Sequence, residues 1–340
     1  MDSIDTRYLF RMTDDTAMFQ HAVLGVPDPS EGYTADDNAR ALILADMFYS
    51  RSEEYRYEEL MVRYLSFLTY AERDRWFRNF MGYPRRFLEK RGSEDSFGRC
   101  ILALGYTASQ PQLPSSVRGA AEKLLHRTVS SCSILTHLKS KAYALAGLLQ
   151  WKDPAALPSI KMLTDSIVDT YAQYRREDWR WFDDTITYCS AILPGVMMCA
   201  SDYDRRCLQP GLESLDFLLE TTTRGDIFKP VGCKGWLKRG GVPAEFDEQP
   251  VEACGMILAC LKAYEMTGNE KYLAGARRCF LWYLGENSQR LSMIDPETGG
   301  CRDGLTQNGV NGNEGAESIV CWLISALMAE QEHWLPAGLA

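Results

Sequence analysis

One arrangement recurs along this 340-residue chain: a polar loop delivers a carboxylate or an amide onto the start of a helix built from small residues. The copies are TADDNARALILA at 34–45, SEDSFGRCILALG at 93–105, FDDTITYCSAILPG at 182–195, DEQPVEACGMILACL at 247–261 and NEGAESIVCWLISAL at 313–327. A sixth, LKSKAYALAGLL at 138–149, carries lysines where the others carry acids. The intervening stretches, such as Glu54 to Asp74 and Leu157 to Arg176, hold more long charged side chains. Small residues let helices approach closely, whereas charged ones suit a solvated outer layer. The pattern predicts an all-α fold, an (α/α)6 toroid in which six inner helices alternate with outer ones.

Helical periodicity is expected over 35–50, 54–75, 95–108, 115–130, 135–150, 155–176, 184–200, 205–223, 250–267, 270–287 and 314–331. That is one helix short of a full ring, so the N-terminal segment supplies the last outer helix or the outer ring is incomplete. Strand-like alternation is confined to small ribbons at 228–231 and 291–294. No Ser/Gly-rich or Pro-rich linker divides the chain, which reads as a single domain over 1–340.

Composition removes several function classes. There are 37 Lys+Arg against 46 Asp+Glu, a net charge of −9, with no block of like charge to track phosphates or a membrane surface. No apolar run is long enough to span a bilayer. The segment MDSIDTRYLFRMTDD has no apolar signal core, and eleven cysteines stand singly in apolar helical patterns. Reduced thiols in a cytoplasmic protein fit this best. Without a CxxC or an i, i+4 histidine pair no metal is expected, and without a glycine-rich phosphate loop no cofactor is expected.

Topology turns the helix starts into a functional statement. In a toroid the inner helices point the same way, so acids far apart in sequence gather at one mouth. The pool for general acid and base or nucleophile is Asp36, Asp37, Asp183, Asp184, Glu248 and Glu314. Around them stand Tyr33, Arg40, Glu94, Asp95, Trp181, Tyr188, Trp236 and Arg239, expected to bind substrate. Gln249, Glu252, Arg302, Asp303, Asn313 and Glu317 complete that set. Carboxylates and aromatics with Asn, Gln and Arg, and almost no His or Cys, make the composition of a sugar site. Aromatic faces stack on pyranose C–H surfaces, while acids and amides bind hydroxyls. Glycosidic cleavage needs two carboxyls, one protonated, and crowding of acids raises one pKa.

A structural role competes with each assignment. Thr34 reads as an N-cap with Asp36 and Asp37 complementing the helix dipole, worth about 0.3–1 kcal/mol each. Asp14 and Asp15, in MTDDTAMFQHA, read as another acidic helix start with a structural role. Trp282 and Trp322 sit among apolar neighbours and read as core, whereas Trp179, Trp181 and Trp236 lie in polar loops.

RMTDDTAMFQHA, GYTADDNARALI, SEDSFGRCILALG, WRWFDDTITY, FDEQPVEACGMILACLKAYEMTGNEKYL and GGCRDGLTQNGVNGNEGAES together resemble a bacterial six-hairpin glycosidase-like helical domain. That domain occurs alone or fused behind a sugar-nucleotide glycosyltransferase. The resemblance implies the toroid fold and a glycan substrate, with a separately encoded glycosyltransferase as partner. Locally, Asp36-Asp37-Asn38-Ala39 resembles the DDNA-type sequence of endo-α-1,6-mannanases, in which the adjacent aspartates are catalytic; Arg40 stands where that family tends to have an aromatic. The leading expectation is a glycoside hydrolase, with phosphorolysis left open. The alternatives are a sugar epimerase on the same fold, which resembles sites with paired histidines on inner helices, and a non-catalytic saccharide-binding or scaffolding toroid.

Overall fold

The computed structural model describes residues 4–335. Its helices in chain order are α1 (Arg7–Arg11), α2 (Ala35–Ser52), α3 (Tyr55–Ala71), α4 (Glu94–Ser109), α5 (Ser115–Thr128) and α6 (Leu138–Trp151). They continue as α7 (Leu157–Tyr174), α8 (Ile192–Ala200), α9 (Leu208–Thr222), α10 (Pro250–Thr267), α11 (Glu270–Tyr283) and α12 (Ala316–Gln331). None is long and apolar enough to cross a membrane. The chain forms two compact units. One comprises the residues up to Arg11, Ala22–Val26 and everything from Val168; the other comprises Met12–His21 and Pro27–Ile167.

In the second unit α2, α4 and α6 are the small-residue helices. Gly98 and Gly105 of α4 and Gly147 of α6 stand where helix backbones meet. A Cβ on Gly98 would lie 2.5 Å from the Ser140 carbonyl oxygen, and one on Gly147 would overlap the Ile101 carbonyl. Residue 98 therefore meets 140, and 105 meets 147, so α4 and α6 run parallel. Thr34 caps α2 as expected, its hydroxyl accepting from the Asp37 N–H at 3.1 Å, and Ser93 caps α4 in the same way. Such caps are worth about 1 kcal/mol each. α3 and α5 pack against α2 and α4 as the more charged partners.

In the first unit α10 packs against α8, α11 and α12, and α8 pairs with α9. α8 and α10 are also parallel: a Cβ on Gly255 would touch the Ala191 side chain, and one on Gly195 the Ala259 side chain.

Two helix expectations are overturned. No helix starts at 184, because Thr185–Ile186 pairs antiparallel with Leu237–Lys238 and Cys189 takes a left-handed φ of 47°; α8 begins only at Ile192. Asp14 and Asp15 do not start a helix either. Thr13 bridges Met18 instead, and the Asp14 carboxylate closes the turn by accepting from the Thr16 and Ala17 N–H groups. Short ribbons are also more numerous than alternation suggested. Tyr33–Thr34, Phe80–Gly82 and Arg86–Phe87 form a three-stranded one, and Glu72–Arg73 pairs with Trp76–Phe77.

Candidate functional site

Each unit gathers the polar starts of its small-residue helices into one layer of loops. In the second unit the starts of α2, α4 and α6 meet in an ion-pair lattice. Arg40 reaches Asp36 at 3.2 Å and Asp37 at 2.8 Å, and Arg99 Nε lies 3.1 Å from Asp36 and 3.0 Å from Asp95. The nearest oxygens of Asp36 and Asp95 thus share one nitrogen. The Arg99 guanidinium also covers the Tyr143 ring at 4.3 Å. Thr34 Oγ1 donates to Asp37 Oδ2 at 2.6 Å, and Asn79 Oδ1 accepts from the Asp36 N–H and the Ser96 hydroxyl. Asp36, Asp37, Arg40 and Asp95 are therefore brought together.

Two residues expected in that site are used elsewhere. Glu94 accepts from the Thr136 N–H and hydroxyl and from the His137 N–H, so it caps the approach to α6. Burial alone would raise its pKa, but these donors carry it below the usual carboxylate value. Tyr33 is 1% exposed, stacked on Phe19 and donating to Asp14 at 2.6 Å, which places it in the core rather than on the loop surface.

In the first unit three loops are tied at the starts of α8, α10 and α12. Besides the 185–186 pairing with 237–238, Arg239 donates its N–H to the Asp184 carbonyl and pairs with its carboxylate at 3.3 Å. Glu252, in the first turn of α10, accepts from the Cys189 N–H and from the Ser190 N–H and hydroxyl, clamping the turn before α8. Glu248 and Leu305 exchange backbone hydrogen bonds at 2.9 and 2.8 Å, joining the loops before α10 and α12. On this layer Asp183 and Asp184 are exposed, Tyr188 is 38% exposed, and the half-buried Trp236 lies 6.2 Å away, ring to ring. Gln249 and Glu317 are half-buried at the starts of α10 and α12.

Glu248 is wholly out of water. Its carboxylate takes Lys229 Nζ at 2.6 Å, Trp282 Nε1 at 2.7 Å and the Ser288 hydroxyl, so every approach to it is occupied. Trp181 is 1% exposed and meets Phe182 edge to face; polar neighbours in sequence concealed a core ring, and Trp179 is buried with it.

Glu314 has a different setting. It too is buried, with Thr298 donating to Oε2 at 2.8 Å, Arg302 at 2.9 Å from Oε1 and Tyr8 donating to its backbone carbonyl. Gly25 and Gly300 stand against Oε2, where a Cβ on Gly300 would collide with it. Burial pushes the Glu314 carboxyl above the usual glutamate value, reinforced by a hydrogen bond with Asp295. At Asp295 burial is outweighed by backbone N–H groups, by that same bond and by Arg302 at 2.5 Å, which hold it below the usual range. Asp303 accepts from the Gly315 N–H at 2.5 Å and from Ser318, and its own N–H donates to the Asn313 carbonyl. Asn313 is exposed, its side chain 3.4 Å from the Leu24 N–H. Sequence reasoning missed Asp295 and Thr298. Their signal was an acid beside the breaker Pro296, read only as a turn.

Nine of the eleven thiols are buried, Cys199 being exposed and Cys233 half-buried. All eleven cysteines are free, and burial pushes Cys132 and Cys260 up to about 12.

No family model matches this sequence, and neither does any curated protein sequence. The backbone is similar to a sugar epimerase from a ruminal bacterium, with 10% identity, a TM-score of 0.74 and 94% of each chain covered. It is also similar to the cellobiose 2-epimerase of Bacillus thermoamylovorans B4167: 12% identity, TM-score 0.71, covering 95% of this chain and 96% of that one. A GH76 α-mannanase of Bacteroides thetaiotaomicron aligns at 10% identity and TM-score 0.63, covering 96% and 94% respectively. These neighbours share the all-α (α/α)6 toroid fold, and the chain has it too.

Proposed function

We propose that this protein is a carbohydrate-active enzyme that hydrolyses a glycosidic bond, with Glu314 as proton donor and the loop layer at the starts of α8, α10 and α12 as its sugar-binding surface. The observation that carries this reading is that Glu314 and Asp295 meet the same Arg302 guanidinium, at 2.9 and 2.5 Å, with Glu314 buried. Burial directs the Glu314 carboxyl above its usual value while its donors direct Asp295 below, the arrangement of an acid kept protonated beside an ionised partner. Glu314 Oε2 is approached closely by backbone at Gly25 and Gly300, which leaves no side chain at those two positions between it and the chain. Tyr188 and Trp236 supply the aromatic faces, and the exposed Asp183 and Asp184 supply the second carboxylate. The mannanase-like pair Asp36 and Asp37 is held by Arg40 and Arg99, an arrangement suited to fixing hydroxyls, and we assign it to binding. Both the GH76 neighbour and the epimerases act on sugars by name, which agrees with a glycan substrate.

The test is a panel of α- and β-linked manno- and gluco-oligosaccharides, with and without phosphate, read by released reducing sugar. Turnover that falls by a factor on the order of 10²–10⁴ in a folded Glu314→Gln variant supports the assignment. A silent panel overturns hydrolysis and favours a binding toroid. A partner glycosyltransferase, implied by the sequence resemblance, is tested by co-purification.

Epimerisation is the second reading, favoured by the higher TM-scores of the epimerases, 0.74 and 0.71 against 0.63. Against it, none of His21, His126, His137 and His333 lies in the loops before α8, α10 or α12. Proton NMR of the same sugars would show a C2 epimer if this reading holds.

A further inference from the structure

The outer face of α11 borders a groove of about 390 Å³ that has no part in the loop layers described above. Asp226, Glu270, Arg277 and Arg278 line it together with Leu273, Ala274, Leu281 and Trp334. Trp334 is placed there by the end of α12. His333 adopts a left-handed φ of 60°, its N–H reaches the Glu330 carbonyl, and the Trp334 N–H reaches back to Ala329 at 2.7 Å. This is a Schellman stop, which fixes the direction of the residue that follows it. A Schellman stop is often accompanied by an apolar contact back onto its own helix, and the plain reading of Trp334 is such a plug. Two facts go further. Trp334 remains half-buried beside an open concavity, and two acids balance two arginines among the described residues that line it.

We propose that this groove is a second saccharide-binding site, separate from the site of chemistry and specific for neutral sugars. The indole face would stack on the C–H surface of a pyranose, and the Asp226 carboxylate and Arg277 guanidinium would bind vicinal hydroxyls in bidentate fashion, Glu270 and Arg278 being partly engaged by Tyr264 and Thr223. The balanced lining leaves no net charge to select an anionic ligand, and the volume falls at the small end of ligand sites. Such a site would hold a glycan chain to the surface while another part of it is processed. It goes beyond the catalytic reading and stands without it.

The experiment is calorimetry with α-1,6-mannotetraose and cellotetraose on the full chain, in a Trp236→Ala background that removes the other aromatic platform. One tetrasaccharide should bind, and adding Trp334→Ala or Arg277→Ala should weaken it at least about tenfold, roughly 1.4 kcal/mol. Turnover of a short aryl glycoside by the Arg277→Ala single variant should stay within about twofold of the parent. Arg277 is exposed, so this variant decides the matter if circular dichroism shows Trp334→Ala unfolded. Absence of binding, or binding unchanged by Arg277→Ala, overturns the proposal. So does Arg277-dependent self-association without sugar binding, which would assign the groove to a second copy of the chain. Groove binding that persists while no substrate turns over would instead fault the catalytic reading alone.

Discussion

Lys229 Nζ lies 2.6 Å from Glu248 Oε1 with both side chains withdrawn from water. Trp282 and Ser288 complete the carboxylate's shell, so the pair is fully satisfied and bolts together the loops before α10 and α12. Removing one member strands the other charge, which typically costs about 3–5 kcal/mol. Lys229→Met should therefore lower stability in urea melts by that amount, and Glu248→Gln by less, since the amide oxygen still accepts from Trp282. If Lys229→Met melts like the parent, the pair is not structural.

Glu314 carries a pH signature. Burial raises its folded pKa above the unfolded value, so the folded state binds a proton that the unfolded state has released. Stability on this account is complete below the ordinary glutamate pKa and declines as pH rises toward the folded value. Hydrolysis that uses the protonated form should fall over the same upper limb. Glu314→Gln should remove this contribution from the stability profile and make it shallower, and an unchanged slope in that variant would assign the whole limb to other buried acids such as Asp46.

Asp46 offers the same sign without a catalytic role. It is completely buried between α2 and α4, with Thr107 donating to one oxygen at 2.5 Å and the other oxygen without a hydrogen-bond partner. Burial pushes its carboxyl well above the usual aspartate value. Asp46→Asn should be stabilised relative to the parent, the gap widening by up to about 1.4 kcal/mol per pH unit above the unfolded pKa. Melting temperatures between pH 4 and 8 check this, and a constant gap would rule it out.

Two helical glycines should respond with opposite signs. An added methyl at Gly147 would collide with the Ile101 backbone of α4, and overpacking of this kind costs about 1–3 kcal/mol. Gly119, exposed on α5 with nothing within 4 Å of its would-be Cβ, should gain about 0.5–1 kcal/mol as alanine. Denaturant midpoints of the two variants decide the comparison.

What could be read from sequence was what is local. Small residues at Gly98, Gly105 and Gly147 announced close helix contact, and Thr34 announced the start of α2, because both depend on a few neighbouring positions. The failures came from distant partners. Asp183 and Asp184 were placed on a helix because nothing nearby shows that 185–186 pairs with a strand some fifty residues further on. Glu248 looked like a free acid because Lys229, Trp282 and Ser288 reach it from elsewhere in the chain. Trp181 looked like a sugar platform because its charged sequence neighbours point outward while its ring points in. The convergence of acids was legible as a pattern; which of them are occupied was not.

The clamps made by Glu94 and Glu252 separate the feet of two loops from their tips. Each carboxylate sits on one helix and grips the backbone just before its neighbour, α4 gripping the approach to α6 and α10 the approach to α8. The anchoring contacts therefore fall at residues 136–137 and 189–190, whereas Asp183, Asp184 and Tyr188 lie outside them. For an engineer this leaves the exposed side chains of Asp183 and Tyr188 as exchangeable positions on a backbone already held at 185–186 and 189–190, where selectivity can be varied without redesigning the scaffold.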